Sequence, residues 1–346
     1  MNYLSNSLSF FQQYLIYFRI FLVHFSKNCR IICNCLYLRL YICIFPLEGA
    51  LFSARFTQNL AARKEYSKTM KYRMLVLDID GTLVNSQKEI TPDTLNALLA
   101  LQEQGFYVVI ATGRPTAGVR KVAETLELSK YGNYIISYNG SRIVDAADNS
   151  IIYNREIPSA LIPEIYSAAM AEGIGMMTYE VGSDGLENVI SATPIDDYER
   201  LEARINDIDI SQVDNFLSYV NFPINKVLMT GDGDKLEKVE KKFAEKFKGC
   251  LNVFRSEPFF LEITPLGVDK ATTIDALLKQ LSLNKDQIIC CGDGFNDITM
   301  IKYAGLGVAM ENAQEKVKKA ANYITASNDN DGVLKVINKF ILEKVG

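Results

Sequence analysis

Four stretches of the sequence gather residue types that could do chemistry together. The first is Asp78-Ile79-Asp80-Gly81-Thr82, with carboxylates at i and i+2, a glycine that lets the chain turn away, and a hydroxyl. Two anions this close repel, so a divalent cation or a shared proton is expected beside them. The second is Thr112-Gly113-Arg114-Pro115, where a hydroxyl and backbone N–H groups near a helix start make an anion site. The third is Gly267-Val268-Asp269-Lys270. Its lysine falls in the first turn of a predicted helix, against the dipole, as though answering an anion. The fourth is Gly292-Asp293-Gly294-Phe295-Asn296-Asp297, with two more carboxylates and an amide. Singly, each stretch also reads as an acidic turn or a solvated lysine. Together the four suit Mg2+ and a phosphoryl group. Mg2+ prefers oxygen ligands and shares the substrate's phosphate, and an aspartate nucleophile can split one hard step into two.

Each stretch sits where a predicted strand ends or a predicted helix begins. Residues 73–78, 106–111 and 134–137 read as short buried strands. Between the first two, Thr91-Pro92-Asp93 opens a helix, Leu95, Leu98, Leu99 and Leu101 give it an apolar face, and Gly105 stops it. A second helix is expected over 115–128, and Asn139-Gly140 marks a turn. This alternation predicts an α/β fold: a Rossmann-like parallel sheet with helices on both faces and a site beyond the strands' carboxyl ends.

After about Ile151 the texture changes. Helices are expected over 158–172 and 235–247, and strands over 174–179, 226–230, 251–255 and 259–263. The stretch 181–197 reads as irregular and acidic. The first pattern resumes with a helix over 270–281, a strand over 287–291, a helix over 295–303, a strand over 306–309 and a closing helix over 332–342. The expected division is a core of 70–155 and 262–346, an inserted α/β cap domain of 156–261, and an atypical extension of 1–69.

Composition supports that division. The net charge of -4 argues against holding nucleic acid by bulk electrostatics. It sums two unlike parts: residues 1–69 carry eight Lys/Arg and two Asp/Glu, leaving 29 basic against 39 acidic residues in 70–346. The one His, His24, and four of the seven Cys (Cys29, Cys33, Cys35 and Cys43) fall in 1–69. Charged and amide residues from Gln12 to Arg39 interrupt every window long enough for a membrane span. The start carries no positive charge for a secretory signal, and the Cys spacing lacks the paired Cys-X2-Cys of zinc sites. The extension is therefore expected to lie outside the working protein, with a start at Met70; a membrane-associating tail is the alternative. Cys290 and Cys291 read as small apolar fillers of a buried strand.

The ordered set Asp-X-Asp-Gly-Thr, Thr-Gly-Arg, Lys and Gly-Asp-Gly-X-Asn-Asp resembles that of the haloacid dehalogenase superfamily. The insertion between Thr112 and Lys270 looks like the C2 cap of its Cof-type phosphatases, as do Ser137-Tyr138-Asn139-Gly140 and Glu262-Ile263-Thr264-Pro265. The resemblance spans about Met70 to the C-terminus. It implies Asp78 as nucleophile and Asp80 as the proton-transfer group, with Lys270 as the third catalytic residue. It implies Mg2+ as cofactor, held by Asp78, Asp80 (through its carbonyl) and Asp293, with Asp297 supporting the metal or orienting Lys270. Thr112, Gly113, Arg114, Asn139 and Asn296 would meet phosphate or substrate. The implied partner is a small phosphorylated metabolite, foremost a sugar phosphate, with pyridoxal phosphate or flavin mononucleotide as rivals. A phosphotransferase or mutase, or a non-catalytic phosphate-binding module, stays open. No nucleic acid and no stable membrane association of the core are expected, and the enzyme is expected in the cytoplasm as a monomer or weak dimer.

Overall fold

Short apolar runs make the centre of the molecule. In Met74–Leu77 (β1), Met74 and Val76 point to one face of a sheet and Leu75 and Leu77 to the other, and all four are fully buried. A strand buried on both faces needs no polar alternation, which explains the unbroken apolar run. The computed structural model describes residues 70–181 and 187–342. The readings of His24, the four N-terminal cysteines and the rest of 1–69 lie outside the described residues.

The strands in chain order are β1, then β2 (Tyr107–Ala111), β3 (Tyr134–Ser137), β4 (Arg142–Asp145) and β5 (Ile151–Asn154). Next come β6 (Gly175–Val181), β7 (Glu187–Ser191), β8 (Ile210–Gln212), β9 (Val227–Thr230), β10 (Leu251–Glu257) and β11 (Phe260–Pro265). The last are β12 (Ile288–Gly292), β13 (Leu306–Ala309) and β14 (Tyr323–Ile324). They form two sheets, ordered β14-β13-β12-β1-β2-β3-β4-β5 and β10-β11-β9-β6-β7-β8. Six strands of the first sheet, β14 through β3, are mutually parallel, as expected, whereas β4 and β5 add an antiparallel edge not foreseen in the sequence.

Helices cover both faces of the first sheet. Pro92–Glu103 (α1) and Arg120–Thr125 (α2) are followed in the insertion by Ile162–Glu172 (α3), Asp197–Asn206 (α4) and Gly233–Lys246 (α5). Lys270–Leu281 (α6), Ile298–Tyr303 (α7) and Gly332–Ile337 (α8) complete the core. Leu98 and Leu101 of α1 and Val333, Val336 and Ile337 of α8 pack on the Leu75/Leu77 face; Ile274, Leu277 and Leu278 of α6 and Met300 of α7 pack on the Met74/Val76 face.

Two expectations about the insertion need correction. The described part of 181–197 is not irregular: Glu187–Ser191 is a strand, paired antiparallel with β6 through Val189 opposite Tyr179, and α4 begins at Asp197, while residues 182–186 lie outside the described residues. Its acidic lead-in disguised an ordinary Val-Ile strand. The expected boundary at 261/262 cuts through β11, whose ladder with β9 reaches Ile263 opposite Val227 and whose hairpin with β10 runs to Pro265 opposite Leu251. Hydrogen bonding therefore keeps residues 262–265 in the second sheet. One face of that sheet packs on α3 and α5 through residues such as Ile165, Val239 and Phe243. Its other face, with Met177, Tyr179, Val189 and Leu228, gathers around Tyr138 of the core.

Candidate active site

β1 and β12 are parallel neighbours, Leu77 opposite Cys291, and the chain leaves their carboxyl ends as Asp78 and Asp293. The chain leaves β1 for β2 on one side, and β12 on the other side is entered much later from α6, so the strand order reverses beside β1 and opens a crevice at that point. Carboxylate oxygens of Asp78, Asp293 and Asp297 come within 4.8 Å of one another there. Gly81, at φ 77°, carries the chain past them: a Cβ on it would lie 2.3 Å from Asp293 Oδ2.

Lys270 reaches this cluster from the first turn of α6, whose start is fixed by reciprocal bonds between Asp269 and Thr272. Its side chain is 0% exposed, and Nζ donates to Asp78 Oδ1 at 2.7 Å and Asp297 Oδ1 at 2.6 Å. Burial opposes its charge, but the carboxylates of Asp297 and Asp78 prevail and hold the ammonium's pKa above its usual value. Asp297 Oδ2 accepts from the N–H groups of Asp293 and Gly294, both at 2.9 Å, so each of its oxygens is already engaged.

One lysine does not balance three carboxylates. Burial pushes the Asp78 carboxyl well above the ordinary carboxylate range; Lys270 opposes this, and Asp297 and Asp293 add to it. Burial likewise pushes Asp293 up to about 6, against a 2.8 Å hydrogen bond from the Thr82 hydroxyl.

Asp80 lies apart from this cluster through its side chain. Arg114 grips it with two prongs, Nε to Oδ2 at 2.8 Å and Nη2 to Oδ1 at 2.7 Å, and Lys88 Nζ donates to Oδ1 at 2.7 Å. Burial works to raise its pKa, but the bonds from Arg114 and Lys88 win and lower it. Arg114, expected to face substrate, is thus committed to Asp80 and to the Gly118 carbonyl, 3.0 Å away.

The remaining expected residues form a second group beside the first. Thr112 is buried at the end of β2, and its hydroxyl accepts from the Arg114 N–H at 3.2 Å. Asn139, left-handed at φ 56°, donates its backbone N–H to the Thr112 carbonyl at 2.9 Å. Its amide is used at both ends: Oδ1 accepts from Asn296 Nδ2 at 3.0 Å, and Nδ2 donates to Glu262 Oε2 at 2.9 Å. The Gly113 carbonyl accepts from Lys226 Nζ at 3.2 Å.

The sequence reading passed over Lys88, Lys226 and Glu202, and gave Glu262 no role. A charged residue inside an apolar strand run, as in Phe260-Leu261-Glu262-Ile263, was the available signal, because burying a charge is expensive without a partner. Lys88 and Glu202 carried no such mark.

The family model for haloacid dehalogenase-like hydrolases matches residues 75–337. The chain is a phosphatase of the haloacid dehalogenase-like hydrolase family. It is 30% identical to the Bacillus subtilis 5-amino-6-(5-phospho-D-ribitylamino)uracil phosphatase YcsE over 274 residues, covering 78% of this chain and 96% of that one. Its fold superposes on a haloacid dehalogenase-like hydrolase from Bacteroides thetaiotaomicron with a TM-score of 0.73 at 41% identity, covering 78% and 99% of the two chains. It superposes on the subclass IIB sugar phosphatase BT4131 with a TM-score of 0.66 at 27% identity, covering 78% and 98%. In this haloacid dehalogenase-like phosphatase the second sheet is the inserted cap. Among the described residues, no helix is long and apolar enough to cross a membrane.

Proposed function

We propose that this phosphatase hydrolyses phosphomonoesters of small metabolites, sugar phosphates foremost, with Mg2+, through an aspartyl-phosphate on Asp78. The observation that carries the reading is the Asp78–Lys270–Asp297 arrangement beside Asp293. Three carboxylates within 4.8 Å share one buried ammonium, and two of them are pushed above their ordinary range. All donors are hard oxygens, so the set fits Mg2+. Asp78, Asp293 and the Asp80 carbonyl would hold the ion; Asp297, saturated by Lys270 and two N–H groups, orients Lys270 instead. When bound, the ion supplies positive charge that keeps the carboxylates ionised and offsets charge on phosphorus.

The residues divide the work as follows. Lys270 fixes Asp78 through Oδ1, so Oδ2 is the oxygen assigned to attack. Asp78 forms a bond to phosphorus as the ester P–O bond breaks, and Asp80, protonated once Arg114 and Lys88 have released it, gives its proton to the leaving alkoxide. Water then attacks phosphorus while Asp80 takes the water's proton, releasing phosphate and regenerating Asp78. For this, Asp80 exchanges its contacts with Arg114 and Lys88 for the leaving-group oxygen. Thr112, the Gly113 N–H, Asn296 and Lys270 would offset charge on the phosphoryl oxygens. The inserted unit serves as a lid that excludes water.

Similarity to BT4131 favours a sugar phosphate, and similarity to YcsE favours a phosphorylated ribityl compound as the second reading. Phosphate release from a panel containing both classes, with Mg2+ or with EDTA, tests the proposal. Release is expected only with Mg2+ and only from the enzyme with Asp78 intact. Equal release by Asp78→Asn would reject the nucleophile.

A further inference from the structure

Two side chains of the cap end on the loops proposed to hold phosphate. Lys226 leads into β9 and is 3% exposed, and its Nζ donates to the Gly113 carbonyl at 3.2 Å. Glu262 of β11 is buried and accepts from Asn139 Nδ2 at 2.9 Å. Asn139 passes that contact on, to Asn296 through its side chain and to the Thr112 carbonyl through its backbone. Thr112, Gly113 and Asn296 are thereby all gripped from the cap side.

The geometry around Lys226 shows where it is aimed. Its Nζ lies 3.6 Å from Glu262 Oε1 and 3.9 Å from Glu202 Oε1, both too long for hydrogen bonds. Those carboxylates balance its charge from a distance, while its short bond goes to the Gly113 carbonyl. Glu202 is in turn held by the Tyr179 hydroxyl at 2.6 Å, and the Lys226 ammonium lies over the Tyr179 ring. Apolar side chains in place of Lys226, Glu202 and Glu262 together would fill the site without the cost of desolvating charges. The lysine therefore has a reason other than packing.

We infer that Lys226 and Glu262 are positioning residues of the phosphoryl site: from the cap they hold Gly113 directly, and Thr112 and Asn296 through Asn139. Asn139, with its amide engaged at both ends, is the relay between cap and phosphate loops and not a substrate ligand. The inference rests on the phosphatase mechanism proposed above. It predicts that the cap contributes to turnover of every ester, including those with no leaving group for it to read.

The test uses the full chain and inorganic phosphate as probe, titrated calorimetrically with Mg2+ present. It also measures turnover of p-nitrophenyl phosphate and of a hexose phosphate, with circular dichroism to verify folding. Lys226→Met and Glu262→Leu are each expected to weaken phosphate binding by about 10- to 100-fold, the scale of one charge-assisted hydrogen bond. Both are expected to lower kcat for the two esters by the same factor. Glu262→Gln, which keeps an acceptor for Asn139, is expected to stay within about threefold of wild type. Tyr138→Phe removes a 2.8 Å bond to Glu187 at the same cap–core contact but not at the tethers. It is expected to lower Tm and leave phosphate affinity unchanged. The two tethers are varied separately, so loss of fold in one variant leaves the other to decide. Phosphate affinity within about twofold of wild type in folded Lys226→Met or Glu262→Leu overturns the inference. So does a loss confined to the hexose phosphate, which would make these residues readers of the leaving group. A wild-type chain that binds no phosphate and cleaves no ester overturns the phosphatase mechanism, and the inference with it.

Discussion

Replacing Lys270 by methionine keeps an unbranched side chain, one atom shorter, and deletes its charge. The ammonium is fully buried and makes bonds of 2.7 and 2.6 Å to Asp78 and Asp297. Removing one partner of a buried ion pair typically costs about 3–5 kcal/mol, because the other charge is left uncompensated. Here two bonded carboxylates and the nearby Asp293 are left together, so the upper half of that range is expected. For a chain of this size each kcal/mol lowers Tm by roughly 2–4 °C, so the variant should melt roughly 10 °C below wild type in EDTA. Mg2+ should narrow the gap. Any ion that binds only the folded state stabilises it by about 2.7 kcal/mol at a hundredfold excess over Kd, and the variant binds it without the competing ammonium. Activity should not return with stability, since loss of one charge-stabilising donor lowers kcat by about 10²- to 10³-fold. Thermal melts of both proteins in EDTA and in Mg2+, with phosphate release measured alongside, provide the assay. Equal melting temperatures in EDTA would mean that Lys270 does not hold the acidic cluster together. A gap that Mg2+ leaves unchanged would mean that the cation does not bind among these carboxylates.

Further outcomes follow from the same geometry. Thr82→Val removes the hydroxyl bonded to Asp293, which should raise the Asp293 carboxyl further above about 6 and weaken Mg2+ binding by roughly fivefold near pH 6.5, as read by calorimetry. Gly81→Ala puts a Cβ 2.3 Å from Asp293 Oδ2 at φ 77°, so Mg2+-dependent phosphate release should drop steeply while urea unfolding reports a modest loss. Glu199 is buried in the cap, bonded to the Ser191 hydroxyl and the Asp196 N–H, and burial raises its carboxyl from about 4.5 to about 7. The folded chain binds that proton more tightly than the unfolded chain. This contribution is therefore complete below pH 4.5 and lost as pH rises through 7, by up to about 3 kcal/mol. Glu199→Gln should flatten the pH dependence of urea unfolding between pH 5 and 8 and be the more stable protein at pH 8. Parallel profiles for the two would reject the assignment.

The acidic cluster was readable because strand ends leave a mark. Asp78 and Asp293 each follow a run of buried apolar residues, and a carboxylate at that place has no packing role. Lys270 was readable from its conflict with the helix dipole. The partner of Arg114 was not readable: an arginine beside an anion site suggests substrate, and the linear chain does not show that the fold brings it to Asp80. Neither tether could be read in the linear chain. Glu262 and Asn139 lie 123 residues apart, as Lys226 and Gly113 lie 113 apart, and such pairs are chosen by how the cap docks, not by local pattern. The antiparallel edge β4–β5 was hidden for another reason: Ile151 is exposed and Ile152 and Tyr153 half-buried, so an edge strand gives no clean alternation.

The place of β1 between β2 and β12 also orders events during synthesis. The Thr82–Asp293 bond spans 211 residues and the Lys270–Asp78 bond spans 192. A nascent chain can pair β1 with β2 early, but one long edge of β1 stays open until β12 emerges. Only then does Asp293 arrive beside Asp78. Closing so long a loop is entropically modest once the insertion has folded, yet contacts this distant form late and slowly. Until then the emerging chain presents an unpaired, fully apolar strand edge, the kind of surface that invites aggregation or chaperone capture. The arrangement that puts four acidic and basic groups at one crevice therefore also makes that crevice among the last features of the molecule to exist.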